Sequence, residues 1–202
     1  HIFFFEPSCE PIDISQCEFQ LRKGDEIIKR KIKSGSVDTG PWCETKQRRH
    51  DWAFFELAQP IPGVRPFLAP TQRPILKGGD SLVQATWSAS NYRPLSSDPR
   101  HIQNCTIKVV DPTSDSVPME TDCDTGNGSS GSAQLMNTQA GLVVVGINNS
   151  EFVNGKDGDK YQPGFFGNVS VPLTGDLFDR LWQRINALSN SEDQAASSLD
   201  LE

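Results

Sequence analysis

The feature that most constrains the fold is a succession of short apolar runs, each followed by turn-forming residues. Nine runs of three to seven residues have the length and composition of β-strands. Glycine, proline, serine and aspartate separate them. This pattern predicts an all-β fold, either a barrel or a sandwich. The predicted strands are residues 2–5, 17–21, 27–32, 52–57, 81–86, 107–110, 134–136, 142–147 and 165–171.

One amphipathic helix is predicted after the last strand. Between residues 173 and 188 the apolar positions recur at i, i+3 or i+4, and i+7, and Thr174 is a suitable N-cap. Residues 189–202 are polar and acidic without an apolar face, so we expect a mobile tail there. The apolar positions of the helix are Leu177, Phe178, Leu181, Trp182, Ile185 and Leu188.

A proline-rich stretch divides the chain. Residues 60–74 interrupt both the strand and the helix periodicities, as expected of a linker. The predicted organisation is an N-terminal unit at residues 1–60, a linker at 61–75, a C-terminal unit at 76–188, and the tail.

Composition and charge restrict the classes of partner. The chain of 202 residues is 36% hydrophobic and 22% charged, as is common in globular proteins, and its net charge is −7. An acidic chain is a poor match for nucleic acid or for an anionic membrane, because both attract basic patches. The sequence has no run of 18 apolar residues that would span a bilayer.

The five cysteines are scattered without the C-x-x-C pairs of zinc or redox sites. We expect disulfides, with Cys105 and Cys123 able to pair with each other. Among Cys9, Cys17 and Cys43 one must be left over, as loss of a sixth cysteine would produce. Disulfides indicate an oxidising compartment, so the protein is predicted to be secreted or periplasmic. The alternative is five reduced, buried cysteines in a cytosolic protein.

A glycine- and serine-rich turn at residues 121–135 runs into an apolar strand. Glycines 126, 128 and 131 allow backbone conformations that bring N–H groups close to a ligand. Ser130 stands where its hydroxyl could act as a nucleophile. Two main-chain N–H groups, those of Gly128 and Ser130, would then point at the oxyanion that develops on the attacked carbonyl. The alternative is that the segment is only a turn.

A second motif places Asp51 at the mouth of a short aromatic strand, at residues 50–57. This segment resembles the aspartate motif of the chymotrypsin-like serine peptidases, and residues 128–132 resemble their nucleophile motif in its bacterial, glutamyl-endopeptidase-like form. The order in that family is His, Asp, Ser. His1 is the one histidine some tens of residues before Asp51. The resemblance therefore implies a triad of His1, Asp51 and Ser130.

The resemblance also implies an architecture and an activity. The fold would be two six-stranded antiparallel β-barrels of the chymotrypsin type, the first incomplete because the strands before His1 are absent. Residues 141–147 look like the strand that lines the specificity pocket, and residues 162–171 like the next one. The implied protein is a monomeric serine endopeptidase, a hydrolase of proteins or peptides that needs no metal or cofactor. Ser130 is preferred to Ser129 because the family pattern G-x-S-G places the reactive serine directly before Gly131.

Two residues are predicted to contact the substrate. Asp124 lies near the position where trypsin-like members carry the acidic base of their pocket, which would select lysine or arginine at P1. Asn148 falls where glutamate-selective relatives present a histidine, which weakens an expectation of glutamyl specificity. Asp122 and Asp124 could instead be turn-capping acids.

Other hypotheses keep part of this pattern. The first is a catalytically inactive, peptidase-like binding module with an incomplete triad. The second is a copper histidine brace at His1, as in lytic polysaccharide monooxygenases, which needs another histidine from His50 or His101 and leaves the turn and Asp51 unexplained. A nucleophile-elbow lipase or esterase is excluded, because that class requires a histidine after the serine and none follows Ser130.

Overall fold

The structure is a computed structural model that describes residues 4–5, 9–87, 100–115, 117–125, 128–153 and 166–199. The N-terminal part contains small two-stranded antiparallel sheets and short helical turns. The sheets pair β1 (Phe4–Phe5) with β2 (Glu10–Pro11), β3 (Glu18–Lys23) with β4 (Glu26–Lys31), and β5 (Asp38–Thr39) with β6 (Ala53–Phe54). The helical turns are α1 (Trp42–Thr45) and two 3₁₀ turns at Ile14–Gln16 and Arg48–His50.

The C-terminal part is a closed antiparallel barrel of six strands, in the spatial order β10-β11-β12-β9-β8-β7. In chain order the strands are β7 (Ser81–Trp87), β8 (Arg100–Val110), β9 (Met119–Thr121), β10 (Ala133–Thr138), β11 (Gly141–Val153) and β12 (Phe166–Pro172). Closure leaves no free sheet edge. Bulges between Gln134 and Leu135 and between Asn148 and Ser150 allow the long strand β11 to bend around the barrel.

The barrel interior contains the main apolar core. Its side chains come from four strands and from the segment after β9, and they can meet only inside the barrel. The members of this core are Leu82, Cys105, Ile107, Met119, Cys123, Val143 and Val145.

A long helix, α2 (Gly175–Leu199), follows the barrel and joins it to the N-terminal part. Leu177 on the helix packs with Val171 of β12 and with Trp52 of the N-terminal part in a second apolar cluster. Arg184 of the helix donates a hydrogen bond to the main-chain oxygen of Ser36. The helix therefore holds the segment around Trp52 against the outside of the barrel.

The all-β class with a C-terminal helix is confirmed, and one of the two predicted barrels is present. A second barrel is not shown, since the strand pairs β1–β2, β3–β4 and β5–β6 remain separate sheets within the described ranges. Closing a barrel requires a continuous ladder of strands, whereas β1, β2, β5 and β6 contain two residues each.

The helix differs from the prediction at its C-terminal end. It begins at Gly175, directly after the predicted N-cap Thr174, but it continues through Leu199 instead of ending at Leu188. The segment from residue 189 to Leu199 is thus helical, while the mobility expected of the tail stays a prediction. Residues 189–199 contain no glycine or proline that would terminate a helix.

The cysteines follow the prediction. Cys105 is bonded to Cys123, and Cys9 is bonded to Cys43 with their Cα atoms 5.7 Å apart. Cys17 is the one left over. Among the helices that the structure describes, none is both long and apolar enough to cross a membrane.

Candidate active site

The glycine- and serine-rich turn is held against the bulged part of β11. Gly128 and Gly131 have φ angles of +94° and +85°, which a residue with a Cβ rarely adopts. The Gly131 N–H donates to the Asn148 main-chain oxygen at 2.7 Å, and the Asn148 N–H donates to the Ser132 oxygen at 2.9 Å. These hydrogen bonds therefore connect the turn to β11 at Gly131 and at Ser132.

The two serines of the turn differ sharply in exposure. Ser129 is 1% exposed, whereas Ser130 faces solvent. The Ser130 hydroxyl donates to the Asn149 main-chain oxygen at 2.9 Å. A reagent from solvent can thus reach the Ser130 hydroxyl, while the Ser129 side chain is enclosed.

Asp51 lies next to this turn although it is 79 residues away in sequence. The Asn149 side-chain amide donates to Asp51 Oδ2 at 2.7 Å. Asn149 is 7% exposed and Asp51 is half-buried, so this hydrogen bond to a carboxylate is partly shielded from water. One residue therefore contacts both side chains: its main chain accepts from Ser130, and its amide donates to Asp51.

Local structure explains why Asp51 points to β11. The 3₁₀ turn Arg48–His50 ends at Asp51, whose N–H donates to the Arg48 main-chain oxygen at 3.1 Å. The next residue, Trp52, is buried in the apolar cluster under α2. Because Trp52 is anchored there, the carboxylate beside it is held at the junction between the N-terminal part and the barrel.

The third predicted member of the triad, His1, lies outside the described residues. His50, adjacent to Asp51, is engaged elsewhere, since its Nδ1 lies 2.9 Å from Thr45 Oγ1. Burial, followed by the positive charge of Arg49, lowers the pKa of His50. His101 belongs to β8, where it pairs with Thr86. The position of a general base beside Asp51 and Ser130 remains a prediction.

Asp124 lies in the first part of the glycine- and serine-rich turn. The Gln103 side chain bonds to both the N–H and the main-chain oxygen of Asp124, with 2.7 Å for the N–H. The neighbouring Thr125 hydroxyl donates to the Asn168 side chain of β12. Burial raises the pKa of the Asp124 carboxyl. The backbone here is well anchored, while its contact with a substrate stays a prediction.

Asn148, the other predicted substrate contact, lies inside the barrel. It is 2% exposed, and its side-chain amide donates to the Ser129 main-chain oxygen at 3.2 Å. The Asn148 side chain therefore holds the turn from inside the barrel, through the main chain of Ser129. A role in specificity would therefore be exerted through the shape of the turn.

Sequence reasoning did not identify Asn149. The only local signal was the pair Asn148–Asn149, which directly follows the apolar run at residues 142–147. Polar residues in a buried strand need hydrogen-bond partners, and this could have marked the pair for attention. The described residues contain no group of three or more His, Cys, Asp or Glu side chains able to hold a metal ion.

Comparison with known proteins adds no family assignment. No protein-family model matches the chain, and no curated protein matches its sequence. The functional argument consequently rests on the geometry of Ser130, Asn149 and Asp51.

Proposed function

We propose that the protein is a serine endopeptidase that hydrolyses peptide bonds through an acyl-enzyme on Ser130. The observation that supports this most strongly is the bridge through Asn149, which contacts the exposed Ser130 hydroxyl and the Asp51 carboxylate. A partly buried carboxylate and an exposed serine on a glycine-containing turn, both bonded to one residue, are two of the groups that acyl transfer by a triad uses.

In the proposed mechanism His1 removes the proton from Ser130 Oγ as this oxygen attacks the substrate carbonyl, and then delivers the proton to the leaving amine. Asp51 orients the imidazole and stabilises its protonated form. The Gly128 and Ser130 N–H groups receive the oxyanion, and each such donor contributes about 3 kcal/mol in well-studied enzymes. Water then hydrolyses the acyl-enzyme by the same steps.

The proposal places the chain in the chymotrypsin-like family of serine peptidases. The closed six-stranded barrel, the helix after it and the order of Asp51 before Ser130 all agree with that family. The two disulfides favour a secreted or periplasmic location. A protein or peptide is the proposed substrate, and the exposed Asp124 would favour lysine or arginine at P1.

Peptide turnover tests this function. We expect hydrolysis of a peptide panel with varied P1 residues, fastest after lysine or arginine. Asp51→Asn should lower kcat/KM by about three to four orders of magnitude, because the imidazole loses its orienting carboxylate. Asp25→Asn, in the exposed turn between β3 and β4, is the matched control and should keep full activity. Equal turnover by the Asp51→Asn variant and wild type would refute the mechanism.

A further inference from the structure

A row of polar side chains lies inside the barrel, next to its apolar core. Leu82 of β7 belongs to that core, and Gln84, two residues further along the strand, faces the same side. Gln134 of β10 pairs directly with Gln84, so its side chain also faces inward. Both glutamines are completely buried.

Strands β9, β11 and β12 also carry polar residues on the inward face of the barrel. Thr121 follows the core residue Met119 by two positions and pairs with Asn168 of β12. Ser170 shares the inward face with Asn168, and Asn148 of β11 pairs with Ser170. We call Gln84, Thr121, Gln134, Asn148 and Ser170 the interior polar cluster.

These side chains are between 0% and 2% exposed, yet six of their polar atoms have no hydrogen-bond partner among the described residues. Buried polar atoms in folded proteins are almost always hydrogen-bonded, to protein or to ordered water. The atoms are Gln84 Nε2, Gln84 Oε1, Thr121 Oγ1, Gln134 Oε1, Asn148 Oδ1 and Ser170 Oγ.

The polar groups of the interior polar cluster indicate which kind of ligand it would bind. All five side chains are neutral, and their atoms without a partner are three amide oxygens, two hydroxyl groups and one amide nitrogen. Water, which donates and accepts equally, matches such a mixed and uncharged set better than an ion does. Globular proteins hold about one buried water per 27 residues, so several are expected in a chain of 202.

We propose that the interior polar cluster binds internal water molecules, and that this water positions the turn that carries Ser130. The link is Asn148: its amide nitrogen donates to the Ser129 main-chain oxygen at 3.2 Å, while its Oδ1 belongs to the cluster. Water bound at Oδ1 fixes the orientation of the amide, and so the position of the turn. The positioning role rests on the proposed function, whereas the hydration site stands independently of it.

Water magnetic relaxation dispersion tests the site, because it counts water molecules held inside a protein without requiring catalysis. Gln84→Met removes the polar atoms at nearly constant volume, and we expect the dispersion amplitude to fall by at least one long-lived water relative to wild type. Gln20→Met, exposed on β3, is the matched control and should leave the amplitude unchanged. Equal amplitudes in wild type and Gln84→Met would overturn the hydration site.

Two further measurements cover the remaining outcomes. If Gln84→Met does not fold, a high-resolution crystal structure of the wild type decides: water density at the cluster supports the site, and a dry cluster with Gln84 and Gln134 bonded to each other overturns it.

In folded Gln84→Met, the Ser132 amide, which donates to the Ser129 oxygen at 3.0 Å, should exchange hydrogen faster than in wild type. Unchanged exchange would overturn the positioning role alone.

Discussion

At the scale of single residues, Asn149 connects the two chemical groups on which the proposed mechanism depends. Its amide donates to the Asp51 carboxylate, and its main-chain oxygen accepts from the Ser130 hydroxyl. Replacing the Asn149 side chain removes the hydrogen bond to Asp51 and keeps the main-chain hydrogen bond from Ser130. In the proposed mechanism Asn149 is a positioning residue, and its side chain can be tested separately from the nucleophile.

We predict that Asn149→Ala lowers kcat about tenfold to a hundredfold with little change in KM. A hydrogen bond to a charged group contributes about 1.5–3 kcal/mol, and this bond orients Asp51 without contacting the substrate. Steady-state kinetics on a peptide substrate would measure the effect, with Asn137→Ala on the exposed part of β10 as control. An increase in KM at constant kcat would assign Asn149 to substrate binding instead.

Asp124 and Asp111 provide a pair of pH predictions with opposite signs. Burial raises the pKa of Asp124, whereas hydrogen bonds from Thr113 lower the pKa of Asp111. The folded state thus disfavours ionised Asp124 and favours ionised Asp111. The contribution of Asp124 to stability falls as pH rises above 3.8, the ordinary pKa of an aspartate, and the contribution of Asp111 is lost as pH falls below that value.

The measurement is the urea midpoint of unfolding between pH 3 and pH 7. Asp124→Asn should be more stable than wild type at the upper end of this range and should approach it at the lower end. Asp111→Asn should be less stable than wild type at the upper end. Parallel curves for wild type and both variants would show that neither carboxyl is linked to folding.

Local motifs were sufficient to propose two of the candidate site residues. Ser130 and Asp51 each stand in a short segment with a recognisable chemical pattern, so both could be proposed from sequence. Asn149 could not, because its function depends on a contact with a residue 98 positions away. The inward orientation of Asn148 likewise follows from strand register, which is determined by pairing across the whole barrel.

At the scale of secondary structure, α2 connects the two parts of the molecule. Arg184 contacts the main-chain oxygen of Ser36 and the Glu56 carboxylate, and its side chain is 25% exposed. Arg180 lies over the Trp52 ring, 5.8 Å from the ring centroid. Since Trp52 follows Asp51, these contacts hold the site as well as the helix.

We predict that Arg184→Ala lowers the free energy of unfolding by about 1–3 kcal/mol, the cost of removing a charged hydrogen bond that is partly shielded from water. Arg73→Ala is the matched control. Arg73 pairs with Asp179 of the same helix, but 58% of its side chain is exposed, and such pairs contribute about 0–1 kcal/mol. Urea denaturation measures both values. Equal losses of unfolding free energy in the two variants would show that Arg184 does not hold α2 against the N-terminal part.

The elements differed in how well they could be predicted. Regular apolar runs identified β7 and β12 almost to the residue, and the helix start at Gly175 follows its N-cap. The strand β9 was missed because three residues, one of them glutamate, carry no periodic signal. The full length of β11 was missed because its second half is polar and bulged.

At the scale of the whole molecule, the two parts differ in construction. The C-terminal part closes into a barrel with its own apolar core, whereas the N-terminal part is made of separate strand pairs. Sequence patterning indicated an all-β chain, but the number of barrels depends on which strands pair, and that is a property of long-range contacts. Leu68 of the linker bonds to β11, which its proline-rich sequence did not indicate.

The central claim is that Ser130 is an activated nucleophile, and fluorophosphonate labelling followed by mass spectrometry tests it most directly. We predict a single adduct that maps to Ser130, disappears in Ser130→Ala and persists in Ser129→Ala, because Ser129 is enclosed. Labelling that survives Ser130→Ala would contradict the assignment of the nucleophile. Absence of any adduct on the folded wild-type protein would contradict the hydrolase mechanism and favour a peptidase-like binding module.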